Sequence, residues 1–335
     1  MKHPYRIREI AAQAGLSEAT VDRVLHERGG VRESTIREVH QAIADLDRQR
    51  AQVRLGGRTF MVDVVVQAPP RFSATIRAAL EAALPALRPA VFRARFHLLD
   101  GRSVVPVLEK IGRRTHGVIL KAPDVPAVVA AAGRLAAPLV TLVTDLPATP
   151  RITYVGIDNR AAGATAAYLI QQWLGDRSGD VLVVRGHESF RGEDEREAGF
   201  RAELSPARRV LEVVDASDSP GAVSEGIRTV LAASPSVRAI YSLYAGAGGN
   251  AAVVSAFAAL GRRYDVFVAH DLDEENTALL RSRKLSAVLH HDLRSDLRRA
   301  CYAIMQAHGV LPGPIRTNPS AVQVITPHNA PPVEF

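Results

Sequence analysis

Residues 7–46 read IREIAAQAGLSEATVDRVLHERGGVRESTIREVHQAIADL, and their spacing decides how the rest of the chain is understood. Three segments, 7–13, 17–25 and 34–46, carry helical period. Ser17 and Ser34 stand as N-caps, while Gly15 and Gly29-Gly30 close the preceding elements. Ile10, Ala14, Leu16, Val21, Val24, Leu25, Ile36, Val39, Ile43 and Leu46 fall on faces that meet in one small core. Gly15 permits a tight turn between the first two helices. Glu18 and Ala19 lie at the start of the second, with Asp22 and Arg23 one turn later.

Beyond this all-α head the pattern changes. Residues 47–59 are polar and basic and contain Gly56-Gly57, which makes them a linker. From 60 onward short apolar runs at 60–67, 91–99, 116–121, 138–144, 154–157, 180–186, 209–216, 239–244, 266–271 and 286–291 alternate with helical stretches. That alternation predicts an α/β body of parallel sheets with helices on both faces. Ten strands exceed one tidy sheet, so two doubly wound lobes with a cleft between them are expected, the second sheet beginning at YVGI. The domains are therefore 1–46, a head; 47–59, a hinge; and 60–335, a two-lobed body. The last residues, NAPPVEF, read as an irregular tail.

Lys and Arg number 42 against 35 Asp and Glu, a net charge of +7 that suits a polyanionic partner and equally suits simple solubility. The single Cys301 excludes an intramolecular disulfide and a cysteine-based zinc site, and reads as a buried helix residue. The N-terminus has no apolar signal region and no long uncharged window occurs, so a cytoplasmic protein without a membrane partner is expected.

The head closely resembles the DNA-binding unit of the lactose-repressor (LacI/GalR) family, on Ala14-Gly15-Leu16-Ser17 followed by Thr20-Val21-Asp22-Arg23-Val24-Leu25-His26. The resemblance implies a helix-turn-helix on operator DNA, with Arg6, Ser17, Glu18, Ala19, Thr20, Asp22, Arg23, His26 and Arg32 at the interface. Ser17 can cap the recognition helix and bond a phosphate. Asp22 stands where the family has Ser. It can accept from cytosine N4, or hold Arg23 through an ion pair. The family's hinge helix wedges a leucine into the minor groove; Val53 or Leu55 would take that role here, although Gly56-Gly57 would fray such a helix.

The body is similar to the periplasmic sugar-binding-protein fold used by that family, on VGIDNRAAG at 155–163, REAGF at 196–200 and AHDLD at 269–273. Ligands of open parallel sheets bind beyond the carboxyl ends of the strands, which selects Arg71, Phe72, Asp145, Phe190, Arg191, Arg196, Tyr244, Asp271 and His291 as effector-site candidates. The resemblance places Arg196 and Asp271 on ligand hydroxyls or carboxylates. The alternative is local: Arg196 paired with Glu193 or Glu197, and Asp271 capping the following helix. Asp158 reads as a helix N-cap. Of His290 and His291, adjacent on a strand, at most one faces the cleft. Three arginines make that cleft cationic unless Asp145 and Asp271 balance them, so a sugar, polyol, sugar acid or phosphosugar all fit.

No G-x-S-x-G, Walker A, H-E-x-x-H or dinucleotide fingerprint is present, and nothing calls for a cofactor, so a non-enzymatic regulator is expected. The resemblance and operator geometry imply a homodimer on a pseudo-palindromic site, repressing until an effector closes the lobes; an activator, or a regulator needing a co-repressor, is the alternative, and an enzyme on an α/β fold a remote one.

Overall fold

A computed structural model describes residues 5–26, 28–112 (51–57 excepted), 114–186, 190–215, 220–244, 246 and 248–331, with side chains of 47–50 also outside the description. The head contains α1 (Ile7–Ala14), α2 (Glu18–Leu25) and α3 (Glu33–Arg50). Gly15 ends α1 at φ 71°, the left-handed conformation the tight turn needs, and Ser17 Oγ caps α2 by accepting from Thr20 N at 3.1 Å. Ile10, Val21, Val24, Val39, Ala42 and Leu46 are buried together, so the helical period produces the expected small core. The third helix runs to Arg50, four residues into the stretch read as linker.

The body opens with β1 (Thr59–Gln67), which pairs in parallel with β2 (Val91–Leu99) and β3 (Gly117–Lys121). Val62, Val64, Val65 and Val66 are all fully buried, the near-continuous apolar run of a strand covered on both faces. Strands β4 (Leu139–Leu142) and β5 (Thr153–Val155) complete a parallel sheet of order β2-β1-β3-β4-β5. One face carries α4 (Pro70–Ala83) and α12 (Leu293–Ala307); the other carries α5 (Val105–Lys110) and α6 (Pro126–Ala132). Cys301 is fully buried in α12, and that burial pushes its thiol pKa upward.

The second sheet has the order β11-β10-β9-β8-β6-β7, with β6 (Asp180–Gly186), β7 (Val210–Asp215), β8 (Val237–Ser242), β9 (Val266–His270), β10 (Ala287–His290) and β11 (Gln323–Ile325). All pairings are parallel except β10–β11. Helices α7 (Asn159–Leu174) and α8 (Arg191–Glu203) cover one face, and α9 (Pro220–Ala233), α10 (Gly249–Ala259) and α11 (Glu274–Arg281) the other. The expectation that YVGI begins the second sheet is corrected: β5 is the last strand of the first, in register with β4 through Val140↔Thr153 to Leu142↔Val155. The short antiparallel β11, ahead of the tail, was not anticipated.

The glycines of the two family-like motifs have a packing reason. A Cβ on Gly163 of α7 would sit 1.8 Å from Arg196 O, and one on Gly199 of α8 would sit 1.9 Å from Arg160 O. The two helices therefore touch backbone to backbone. The chain crosses between lobes after β5, after β10 and again between α12 and β11, and the crossings are stitched by the Ile157↔Ser320 bridge and by Thr153 and Thr317 hydroxyls at 3.0 Å. Three adjacent crossings form a hinge beneath the cleft. Among the described residues no helix is long and apolar enough to cross a membrane.

Candidate functional site: recognition helix and inter-lobe cleft

On the head, Ser17, Glu18, Ala19, Arg23 and His26 are exposed while Val21 and Val24 of the same helix are buried, so α2 presents one polar face outward. Thr20 is half-buried against Ser17, and Arg32 is exposed before α3. Arg6 is exposed at the start of α1, its backbone N–H donating to Glu9 Oε2 at 2.9 Å. Asp22 does not hold Arg23. Its carboxylate pairs with Arg28 Nη1 at 2.8 Å and with His26 Nδ1 at 3.0 Å, which leaves the Arg23 side chain in solvent beside the helix start. Val53 and Leu55 lie outside the described residues.

The cleft opens at the carboxyl ends of both parallel sheets, as the strand rule requires. The first lobe contributes Phe72 from α4, Lys121 from the end of β3 and Thr144 after β4. Opposite stand Phe190, Glu193 and Arg196 at the start of α8, Tyr244 after β8 and Asp271 after β9. They enclose a cavity of about 50 Å³, room for a few waters or a compact ligand in this closed arrangement. Two residues there carry unusual backbones: Val143 at φ 66° and Asp271 at φ 64°. Such left-handed conformations cost roughly 1–3 kcal/mol and persist only where neighbours over-determine them. At Asp271 the neighbours are visible: its N–H donates to Leu289 O at 2.9 Å, and its carbonyl accepts from Asn276 Nδ2 at 2.7 Å. The backbone is pinned so that the carboxylate projects from the strand end.

The cations of the cavity are already engaged. Arg196 is 4% exposed and donates from Nε to Asn159 Oδ1 at 2.8 Å and from Nη1 to Leu243 O at 3.2 Å. Lys121 donates to Gln67 O at 3.2 Å and its ammonium lies 3.7 Å from the Phe190 ring centroid. Glu193 Oε2 is buried with no hydrogen-bond partner among the described residues. Burial pushes the Glu193 carboxyl up to about 7, although Arg196, Lys121 and Arg185 pull the other way.

Of the sequence-derived effector candidates, the cavity brings together Phe72, Phe190, Arg196, Tyr244 and Asp271. The other four are placed elsewhere. Arg71 reaches across to the second lobe, 3.1 Å from Asp273 and 2.8 Å from Glu275. Asp145 is held by Arg151 at 2.6 Å and by Thr141 at 2.8 Å. Arg191 pairs with Glu195 at 2.8 Å and approaches Asp124 of the first lobe at 3.6 Å. His291 is 1% exposed and bonded to Asp296 at 2.6 Å, under the cleft at the hinge. The local alternatives also resolve: among the described residues Arg196 hydrogen-bonds no acid, and Asp273 rather than Asp271 caps α11 through Asn276 N at 2.8 Å. Asp158 is the expected cap of α7. Lys121 and Thr144 were missed although the strand-end rule covers both; Glu193 carried no signal beyond its place on the helix of Arg196.

Residues 6–49 match the bacterial regulatory proteins of the lacI family, and residues 104–309, more than half of the chain, match the periplasmic binding protein domain. No curated protein sequence matches the chain. Among solved structures, the glucose-galactose binding protein GanP of Geobacillus stearothermophilus is 17% identical over 82% of this chain and 99% of its own, with a TM-score of 0.71. A solute binding protein of Burkholderia graminis, in complex with D-arabinose, is 19% identical over 82% of this chain and 97% of its own, TM-score 0.69. A protein of Bacteroides fragilis described as a LacI transcriptional regulator is 16% identical over 82% of this chain and 98% of its own, TM-score 0.66. These likenesses carry the body's fold, and the family matches join it to the exposed recognition helix. The chain belongs to the lactose-repressor family: a ligand-responsive transcriptional regulator with a helix-turn-helix for operator DNA and a periplasmic-binding-protein domain for its effector.

Proposed function

We propose that the protein is a cytoplasmic repressor, dimeric on a pseudo-palindromic operator, that releases DNA when a compact, neutral polyhydroxy compound fills the cleft. The observation that carries the effector class is the state of the charges. Lys121 and Arg196 are balanced in number by Glu193 and Asp271, and both cations spend hydrogen bonds on protein carbonyls or amides. A ligand must therefore bring donors for two carboxylates, which hydroxyls do and a phosphate or carboxylate does not. Sugar acids and phosphosugars thus fall behind sugars and polyols. The rings of Phe72 and Phe190 suit the apolar face of such a compound. Two of the structural neighbours are named for binding glucose-galactose or hold D-arabinose, which points the same way.

Dimerisation is supported by the helix-turn-helix itself, since one recognition helix reads only a half-site. The reading is of a binding protein and not of a catalyst. Two measurements test it: selection of bound duplexes from a randomised library by the full chain, and a thermal-shift screen of sugars, polyols, sugar acids and phosphosugars. A true effector at a hundred times its dissociation constant adds about 2.7 kcal/mol of stability. A screen in which only phosphorylated or carboxylated compounds stabilise the protein contradicts the effector class.

A further inference from the structure

The helix-turn-helix unit does not stand free of the body. Gln13 of α1, 5% exposed, donates from Nε2 to Ala94 O at 2.7 Å. Ala94 lies on β2, the edge strand of the first sheet, so a head side chain satisfies a carbonyl that an edge otherwise leaves to water. The next residue, Arg95, holds Asp63 at 2.6 Å and reaches Ala12 O at 3.5 Å. On α3, Asp45 is buried with both carboxylate oxygens 3.5 Å from Arg77 Nη1, and the Arg77 guanidinium lies 4.2 Å from the Phe96 ring centroid. An exposed ion pair of that length would contribute little; here the carboxylate is buried and also accepts from Gln41 Nε2 at 2.8 Å, so Asp45 is held in place facing Arg77.

Arg77 stands on α4, the helix that carries Phe72 into the cavity and Arg71 onto Asp273 and Glu275 of the opposite lobe. Phe72 and Arg77 are five residues apart, about 7.5 Å along the helix axis. Lobe closure thus acts on the first turn of α4 while its second turn holds the head. The exposed Glu18, Ala19 and Arg23 stay clear of this contact, so a head seated here can still read DNA.

We infer that the surface formed by α4 and the edge of β2 is the seat of the protein's own head, and that α4 delivers the state of the effector cleft to the DNA-binding helices through this seat, in parallel with the linker. The inference rests on the cleft being the effector site. Hydrogen exchange on the full chain, without DNA or effector, tests it with Arg77→Ala, Arg77→Lys, Gln13→Ala and Phe72→Ala. Arg77→Ala and Gln13→Ala should speed exchange of the amides of 39–46 by about fivefold or more, with the amides of 62–66 in β1 unchanged as the fold control. Arg77→Lys should recover part of the protection. Phe72→Ala, a change at the cavity, should alter the same head amides by about twofold or more. Head exchange unaltered by Arg77→Ala and Gln13→Ala overturns the seat. Head exchange that responds to Arg77→Ala but not to Phe72→Ala overturns the transmission. Failure of the cleft reading appears separately, as the absence of any stabilising compound in the thermal-shift screen while these exchange patterns persist.

Discussion

Arg196 Nε donates to Asn159 Oδ1 at 2.8 Å with both side chains buried, so a cleft residue of α8 is keyed to the first residue of α7. Asn159 Nδ2 in turn lies 3.2 Å from both Val143 O and Tyr154 Oη, which belong to the first lobe's strand ends. The arginine thereby ties the inter-lobe cavity to the hinge. Its loss should be structural as well as functional. Arg196→Ala leaves the Asn159 and Leu243 acceptors buried without a charged donor, and should lower stability by about 2–4 kcal/mol in urea unfolding. Unchanged stability would show that water replaces the guanidinium freely.

The contact between α7 and α8 has no room for a side chain. Gly163→Ala puts a Cβ 1.8 Å from Arg196 O, and should cost about 3 kcal/mol or more because backbone has to move. Thermal unfolding of the variant checks this. A melting temperature equal to that of wild type would mean that the helices slide apart at no cost.

Arg23 is exposed on the recognition helix and is not paired with Asp22. Arg23→Ala should weaken binding to the selected operator by about 1–3 kcal/mol in fluorescence anisotropy, while leaving the unfolding curve of the chain in place.

Burial raises the Glu193 carboxyl from an ordinary 4.5 to about 7, so the folded protein keeps a proton there that the unfolded chain has already released. At this group the folded state binds more protons between those two values, so the contribution of Glu193 to stability should fall as pH rises from about 4.5 to about 7, while His116, His270 and His290, whose folded pKa values burial lowers, contribute in the opposite direction. Glu193→Gln removes this group and leaves the histidines, so the variant should gain on wild type toward the upper end of the window. Denaturant midpoints measured across it give the slope of each, and parallel slopes would show Glu193 to be ionised throughout.

Much of the architecture is legible along the chain because it is local. Ser17 caps α2 from three residues away, Gly15 takes its left-handed turn whatever the body does, and the valines of β1 announce a strand buried on both faces. The strand-end rule found Phe72, Phe190, Arg196, Tyr244 and Asp271 for the same reason, since where a strand stops is written nearby. What it could not foresee is whom each side chain meets. Arg71 finds Glu275, 204 residues away, through lobe packing alone. Asp145 and Arg191 are drawn off by Arg151 and Glu195. The short apolar run at 154–157 says that a strand exists there, but only the pairing of β5 with β4 says which sheet owns it.

The proposed switch requires that occupancy of the cleft lowers affinity for operator DNA. Operator affinity by fluorescence anisotropy, with and without the neutral compound that stabilises the protein in the screen, tests it most directly when wild type is compared with Asp271→Asn and Glu193→Gln. The compound should weaken wild-type binding by about tenfold or more, and both variants should keep their operator affinity whether the compound is present or not. Equal release of DNA by wild type and both variants, or operator affinity in wild type that the compound leaves unchanged, would contradict it.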